Sequence, residues 1–154
     1  MTGRVAKRLA ELGIELPKPP APVASYVPTV ISGSLLFISG QVSLDQGKLI
    51  AGKLGAGLDI EAGQKAARAC ALNLLAQAQT ALGDLDRIKR CVKLTGFVNA
   101  APDFTDHPKV VNGASDLMVE VFGDIGRHSR AAVGSSSLPL GAAVEVEAVF
   151  EIER

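Results

Sequence analysis

The chain has 154 residues, 47% of them apolar, which is about one domain's worth with enough apolar material for a core that needs no staples. Sixteen basic side chains balance sixteen acidic ones. A formal charge of zero excludes the electrostatic footprint of a dedicated binder of nucleic acid or anionic membrane and suits a small neutral or zwitterionic ligand.

The first residues, MTGRVAKRLAELGIEL, contain no apolar run of signal-peptide length. No window approaches the roughly 18 apolar residues of a membrane span, so a cytoplasmic protein with no membrane partner is expected. Thr2 is placed to cap a short surface helix in which Val5, Leu9 and Leu12 share a stripe, with Gly13 as its stop. PKPPAP is too proline-rich for helix or sheet and reads as an extended strap. Residues 1–22 are therefore taken as an appendage to a main domain spanning 23–154.

YVPTVISGSLLFISGQV holds two β-rich runs broken at Ser32 and Gly33, a hairpin signal. In the second run Leu35 and Phe37 point one way and Leu36, Ile38 and Val42 the other, which predicts a strand covered on both faces. DQGKLIAGKLGAGL is a glycine-rich flap with room for one short strand, and it lacks the GxxxxGK[ST] spacing of a phosphate cradle.

From Asp59 to Leu82 the apolar period is helical, through Ala67, Cys70, Ala71, Leu74, Leu75 and Ala78, with Asp59 as cap and Gly83 as stop. RIKRCVKLTGFVN sets Ile88, Val92, Leu94 and Val98 on one face of a half-buried strand. Pro108 suits the first turn of a helix that His107 caps and that ends near Gly123. Ala131–Ser135 reads as a strand, Leu138–Gly141 as a turn, and AVEVEAVFEIE as a strictly alternating strand. The order predicts an α+β fold: a mixed sheet of about six strands with two long helices on one face, plus the short N-terminal helix. The second strand's two apolar faces then call for other copies of the chain on the uncovered side, a homo-oligomer.

Few residues carry chemistry. Cys70 and Cys91 lie far apart in periodic segments and are expected to be packed, reduced thiols. The acids and histidine of DFTDHP are too local to hold a metal, and none is expected. Arg130 stands at a strand start among small and apolar residues, where a guanidinium is either a solvated strand-end cation or a bidentate carboxylate clamp. Glu145 and Glu147 share a face with Glu151 and Glu153, either as a solvated sheet face or, at an interface edge, as a carboxylate able to orient water. His107 and His128 are the two histidines, and without a basic cluster they make a poor ribonuclease pair.

Taken in order, SYVPTV, LLFISGQV, ARACALNLLAQA, VKLTGFVN, DFTDHPKVVN and SRAAVGSSSLP followed by VEVEAV make the stretch from Ser25 to Ile152 similar to the Rid proteins, reactive intermediate deaminases also called YjgF-like. The most specific piece is the last: an arginine, an LP turn, then VEVEA. The longer N-terminus and the NGASDLMVEVFG helix resemble a Rid subfamily that carries an endoribonuclease label. The resemblance implies the chorismate mutase-like fold and a homotrimer with clefts between subunits. It also implies hydrolytic deamination of small carboxylate-bearing enamines and imines to 2-oxo acids and ammonia, with no cofactor. On that pattern Arg130 grips the substrate carboxylate and Glu145 positions the attacking water. Tyr26 lines the cleft, Asn112 lies near it, and Ser39 and Gly40 lie in the strand beside it. Ala132 stands where the best-known members have a cysteine, a position that shapes the cleft, and His128 replaces their proline. The other readings are a non-catalytic small-carboxylate binding module and an endoribonuclease or translation inhibitor. Nucleic acid is not an expected partner.

Overall fold

The structure is a computed structural model that describes residues 3–19 and 25–154. In chain order the main elements are α1 (Arg4–Glu11), β1 (Thr29–Ser32), β2 (Leu35–Val42), α2 (Ile60–Leu82), β3 (Ile88–Asn99), α3 (His107–Phe122), β4 (Ser129–Ser135) and β5 (Val144–Ile152). The five strands form one sheet in the order β1-β2-β5-β3-β4. All neighbours are antiparallel except β3 and β4, which run parallel because α3 carries the chain back between them.

The expected sixth strand does not join this sheet. The glycine-rich segment instead builds two small ladders, Leu44–Asp45 with Lys48–Leu49 and Lys53–Leu54 with Gly57–Leu58. Gly52, Gly55 and Gly57 take φ of 130°, 83° and 114°, which breaks any longer extended run there.

Both long helices cover one face of the sheet, α2 across β2 and β5, α3 across β3 and β4. The Asp59 side chain accepts a hydrogen bond from the Ala62 amide at 2.8 Å, and Gly83 closes α2 at φ 79°. Leu36, Ile38, Leu94, Val98, Val144, Val146 and Phe150 meet Leu74, Leu75, Val111, Leu117 and Met118 in one core. Cys70 and Cys91 are buried free thiols within it, as expected.

Two strand readings needed correction, both at bulges. Register shifts between Ile88 and Arg90 and between Cys91 and Lys93 turn Cys91 into the core and leave Val92 half-buried. A shift between Ile38 and Gln41 pairs Val42 with Glu145, on the face away from the helices, while Gln41 turns to Gln77 of α2.

Thr2 and residues 20–24 of the strap lie outside the described residues. The first two amides of α1 are held by Asp86, whose carboxylate oxygens accept from Arg4 and Val5 at 2.8 Å each, and Val5 and Leu9 join the core. At α3 the helix starts at His107 with Pro108 in its first turn, but no side chain caps it. His107 stands edge-on to Phe104 instead, 5.4 Å between ring centres. No described helix is long and apolar enough to cross a membrane.

Candidate functional site

The seven residues singled out from the sequence fall into two groups on opposite faces of the sheet. Arg130 pairs in parallel register with Leu94, a core residue, so its side chain leaves edge strand β4 on the helix side. There its Nη1 donates to Asn112 Oδ1 at 2.8 Å and to Ser115 Oγ at 3.2 Å. Asn112 and Ser115 are three apart on α3 and so share one helix face. Ala132 lies two residues along β4 on the same side, packed against the core.

Ser115 continues the chain of contacts. Its Oγ is 2.8 Å from His128 Nε2, and His128 Nδ1 is 2.6 Å from the Gly126 carbonyl oxygen. A carbonyl only accepts, so Nδ1 carries a proton, and in the neutral ring the bare Nε2 then accepts the Ser115 hydroxyl hydrogen. The Ser115 oxygen is thereby turned to receive Arg130. Both Nη1 hydrogens are committed, while Nε and Nη2 make no hydrogen bond among the described residues. Those two groups form the side-on fork of a guanidinium, which matches a carboxylate.

The second group lies on the open face. Glu145 alternates with buried Val144 and Val146, pairs with Val42 and Phe97, and so faces away from the helices. Its carboxylate lies directly over Gly40, where any Cβ would collide with it. Burial, and then the neighbouring Glu147 charge, raises the Glu145 carboxyl above its ordinary range. The bulge that places Gly40 here also holds Ser39, whose amide donates to the Pro28 carbonyl at 2.9 Å. This hydrogen bond ties in the segment that carries Tyr26, 58% exposed. Beside it Val30, Phe37, Ser39, Glu147 and Val149 line a hollow of about 270 Å³.

One chain therefore brings Arg130, Asn112 and Ala132 together, and separately Glu145, Gly40 and Ser39, with the segment that carries Tyr26 tied to Ser39 through Pro28. It does not bring the two groups to each other. The sequence reading missed Ser115, although its spacing from Asn112 was the available signal. Val30, Phe37 and Val133 are 50%, 42% and 43% exposed on the face that carries Glu145. Among the described residues no cluster of three metal-ligating side chains occurs.

These features define a mixed α+β domain with a guanidinium held at its sheet edge and a carboxylate on its open face. The chain belongs to the family described as YjgF/chorismate mutase-like, putative endoribonuclease, whose model matches residues 6–152. It is 55% identical to Protein TCP17 of Trypanosoma cruzi over 98% of this chain and 96% of that one. A solved structure described as a putative endoribonuclease from Shewanella oneidensis superposes with a TM-score of 0.92 at 40% identity, covering 96% of this chain and 99% of the other. RidA from an Antarctic Psychrobacter is more distant, at 27% identity and a TM-score of 0.59 over 88% and 94% of the two chains.

Proposed function

We propose that the protein hydrolyses small carboxylate-bearing enamine or imine intermediates to 2-oxo acids and ammonia, at sites formed between copies of the chain in a homotrimer. The observation that carries this reading is the Arg130 guanidinium, fixed through Nη1 with its Nε/Nη2 fork left over. A fixed fork pre-organised for a carboxylate is what a substrate anchor needs. The split of the site residues between two sheet faces supports a shared site: the Arg130 edge of one copy would meet the Glu145, Gly40 and Tyr26 face of another.

In the reaction the clamp holds the substrate carboxylate and Glu145 accepts a proton from water. The water oxygen bonds to the imine carbon while the C=N electron pair goes to nitrogen, which takes up a proton. The hydroxyl proton of the resulting carbinolamine passes to nitrogen, and the C–N bond breaks to release ammonia and leave the carbonyl. A carboxyl raised by burial is the better base for the first step. Apolar neighbours that exclude bulk water strengthen both the clamp and the proton transfer.

An endoribonuclease reading is weaker on this geometry, because both ring nitrogens of His128 are engaged by Gly126 and Ser115. The deciding experiment generates 2-aminoacrylate enzymatically and follows pyruvate. Acceleration by the wild type, with loss in Glu145→Gln, is expected. No acceleration would replace this reading by a binding module, and full activity in Glu145→Gln would take Glu145 out of the reaction. RNA cleavage that is lost in His128→Ala and weakened steeply by salt would replace it by a nuclease.

A further inference from the structure

We infer that Ser115 and His128 are positioning residues that lock the Arg130 guanidinium, so that a ligand carboxylate is received on its Nε/Nη2 edge and discriminated from a neutral amide. The inference rests on the carboxylate-clamp reading of Arg130 above. It concerns residues outside the seven named from the sequence as catalytic or binding.

An arginine side chain is long and has several rotatable bonds, so a guanidinium held at one point can still present different edges to a ligand. Here one terminal nitrogen is held at two points: Asn112 Oδ1 takes one Nη1 hydrogen at 2.8 Å and Ser115 Oγ the other at 3.2 Å. Two contacts on one nitrogen fix the plane of the group as well as its position. A serine hydroxyl rotates freely and can donate or accept, so Ser115 alone would not guarantee an acceptor facing Arg130. His128 removes that freedom. The Gly126 carbonyl fixes the proton on Nδ1, the bare Nε2 takes the serine hydrogen at 2.8 Å, and the serine lone pairs are left for the cation. In the neutral ring, the direction of each bond from Gly126 to Arg130 follows from that one carbonyl acceptor.

The same Ser115–His128 spacing would suit a nucleophile and its base. Arg130 donates into the oxygen that would have to attack, however, which favours positioning over nucleophilic chemistry. Discrimination follows from the lock. A carboxylate offers two acceptor oxygens to the parallel Nε–H and Nη2–H, whereas a carboxamide offers one oxygen and turns an N–H toward the fork.

The test compares wild type, Ser115→Ala, Ser115→Thr, His128→Phe and His128→Gln. Calorimetry measures pyruvate and pyruvamide binding, and ¹⁵N NMR follows the Arg130 guanidinium and the His128 ring. Ser115→Ala and His128→Phe are expected to weaken pyruvate binding about ten-fold, the loss typical of one hydrogen bond to a charged group, with little change for pyruvamide. Ser115→Thr and His128→Gln, which keep a hydroxyl and an acceptor, should restore most of the preference. In wild type without ligand, slow rotation should give separate Nη signals and an unprotonated Nε2, and the Nη signals should merge in Ser115→Ala.

Equal pyruvate affinity in wild type and Ser115→Ala overturns the inference and leaves the clamp standing. Wild type that binds no pyruvate overturns the clamp. The lock is then judged on the ligand-free spectra, where identical guanidinium signals in wild type and Ser115→Ala overturn it. Covalent capture of Ser115 by a fluorophosphonate would also overturn it, by showing a nucleophile in place of a positioning group.

Discussion

The carboxylate of Glu145 rests on Gly40, in the space that a side chain at position 40 would fill. The glycine is required here by close approach, not by φ, and the approach exists because the bulge between Ile38 and Gln41 carries β2 past β5 out of simple register. Gly40→Ala should therefore push the Glu145 carboxylate aside. Since what yields is the end of a flexible side chain, the expected outcome is a thermal melt close to wild type together with a fall in kcat of at least ten-fold. Pyruvate affinity should change far less than kcat, since the carboxylate is held by Arg130, whose own contacts are to Asn112 and Ser115. A loss of fold with Gly40→Ala would contradict this account.

Arg130→Lys tests the clamp itself. Lysine keeps the charge but exchanges a planar fork for a point donor on a flexible stem. Losing a charge-assisted contact costs about 1.5 to 3 kcal/mol, so pyruvate affinity measured by calorimetry should fall ten- to a hundred-fold while the melting temperature stays near that of wild type. An unchanged affinity would return Arg130 to the status of a solvated strand-end residue.

Glu145 has a stability consequence of opposite sign to that of a paired carboxylate. Its carboxyl is raised in the folded protein, by burial first and by Glu147 second. The native state thus holds a proton where the unfolded chain has released one. Stability falls as pH rises from the ordinary glutamate range through the raised value, and the penalty persists above it. Glu145→Gln should consequently raise the melting temperature at pH 7 and flatten its dependence on pH over that window, while abolishing turnover. A melting temperature lowered by the substitution would show that the charge is satisfied in the native assembly.

The two thiols should be inert. Cys70 donates to the Val144 carbonyl at 3.3 Å, and burial, followed by the Glu145 charge, raises its pKa well above the ordinary value. Burial pushes Cys91 up to about 12. Reaction with a thiol reagent in native buffer should proceed only as fast as the protein unfolds, and denaturant should release two equivalents. Rapid labelling of either cysteine would refute the packing described here.

Asp86 links acidity to the N-terminal helix. Its carboxyl is lowered chiefly by the Val5 amide, so its contribution is present at neutral pH and lost as pH falls below the ordinary aspartate range through the depressed value. Asp86→Ala should cost about 1 kcal/mol, the usual size of a lost N-cap, read as a lowered denaturation midpoint at pH 7. The difference from wild type should vanish in acid.

Local signals were legible where chain neighbours decide the structure. Asp59 and Gly83 bracket α2, and the alternation of Val144, Glu145, Val146 and Glu147 assigns β5 its two faces from sequence alone. What stayed hidden depends on partners far away in the chain. Val92 and Val42 fall in step with the apolar positions of their strands in the sequence, and only pairing with β5 shows where the bulges shift them. The facing of Arg130 likewise comes from its register with Leu94, which no spacing within SRAAV encodes. Ser115 became significant only once α3 had set it between Arg130 and His128.

The Asp86 contacts also imply an order of events. An eight-residue helix is too short to hold itself in water, where isolated helices need about 12 to 15 residues even with favourable sequences. Its first two amides find their acceptors at a turn 81 and 82 positions further along. That turn exists only when α2 has ended and β3 has begun, so α1 has nothing to form against until the sheet and its two helices are in place. Its docking depends on those elements while theirs does not depend on it, so local release of α1 is expected at a free energy below that of global unfolding.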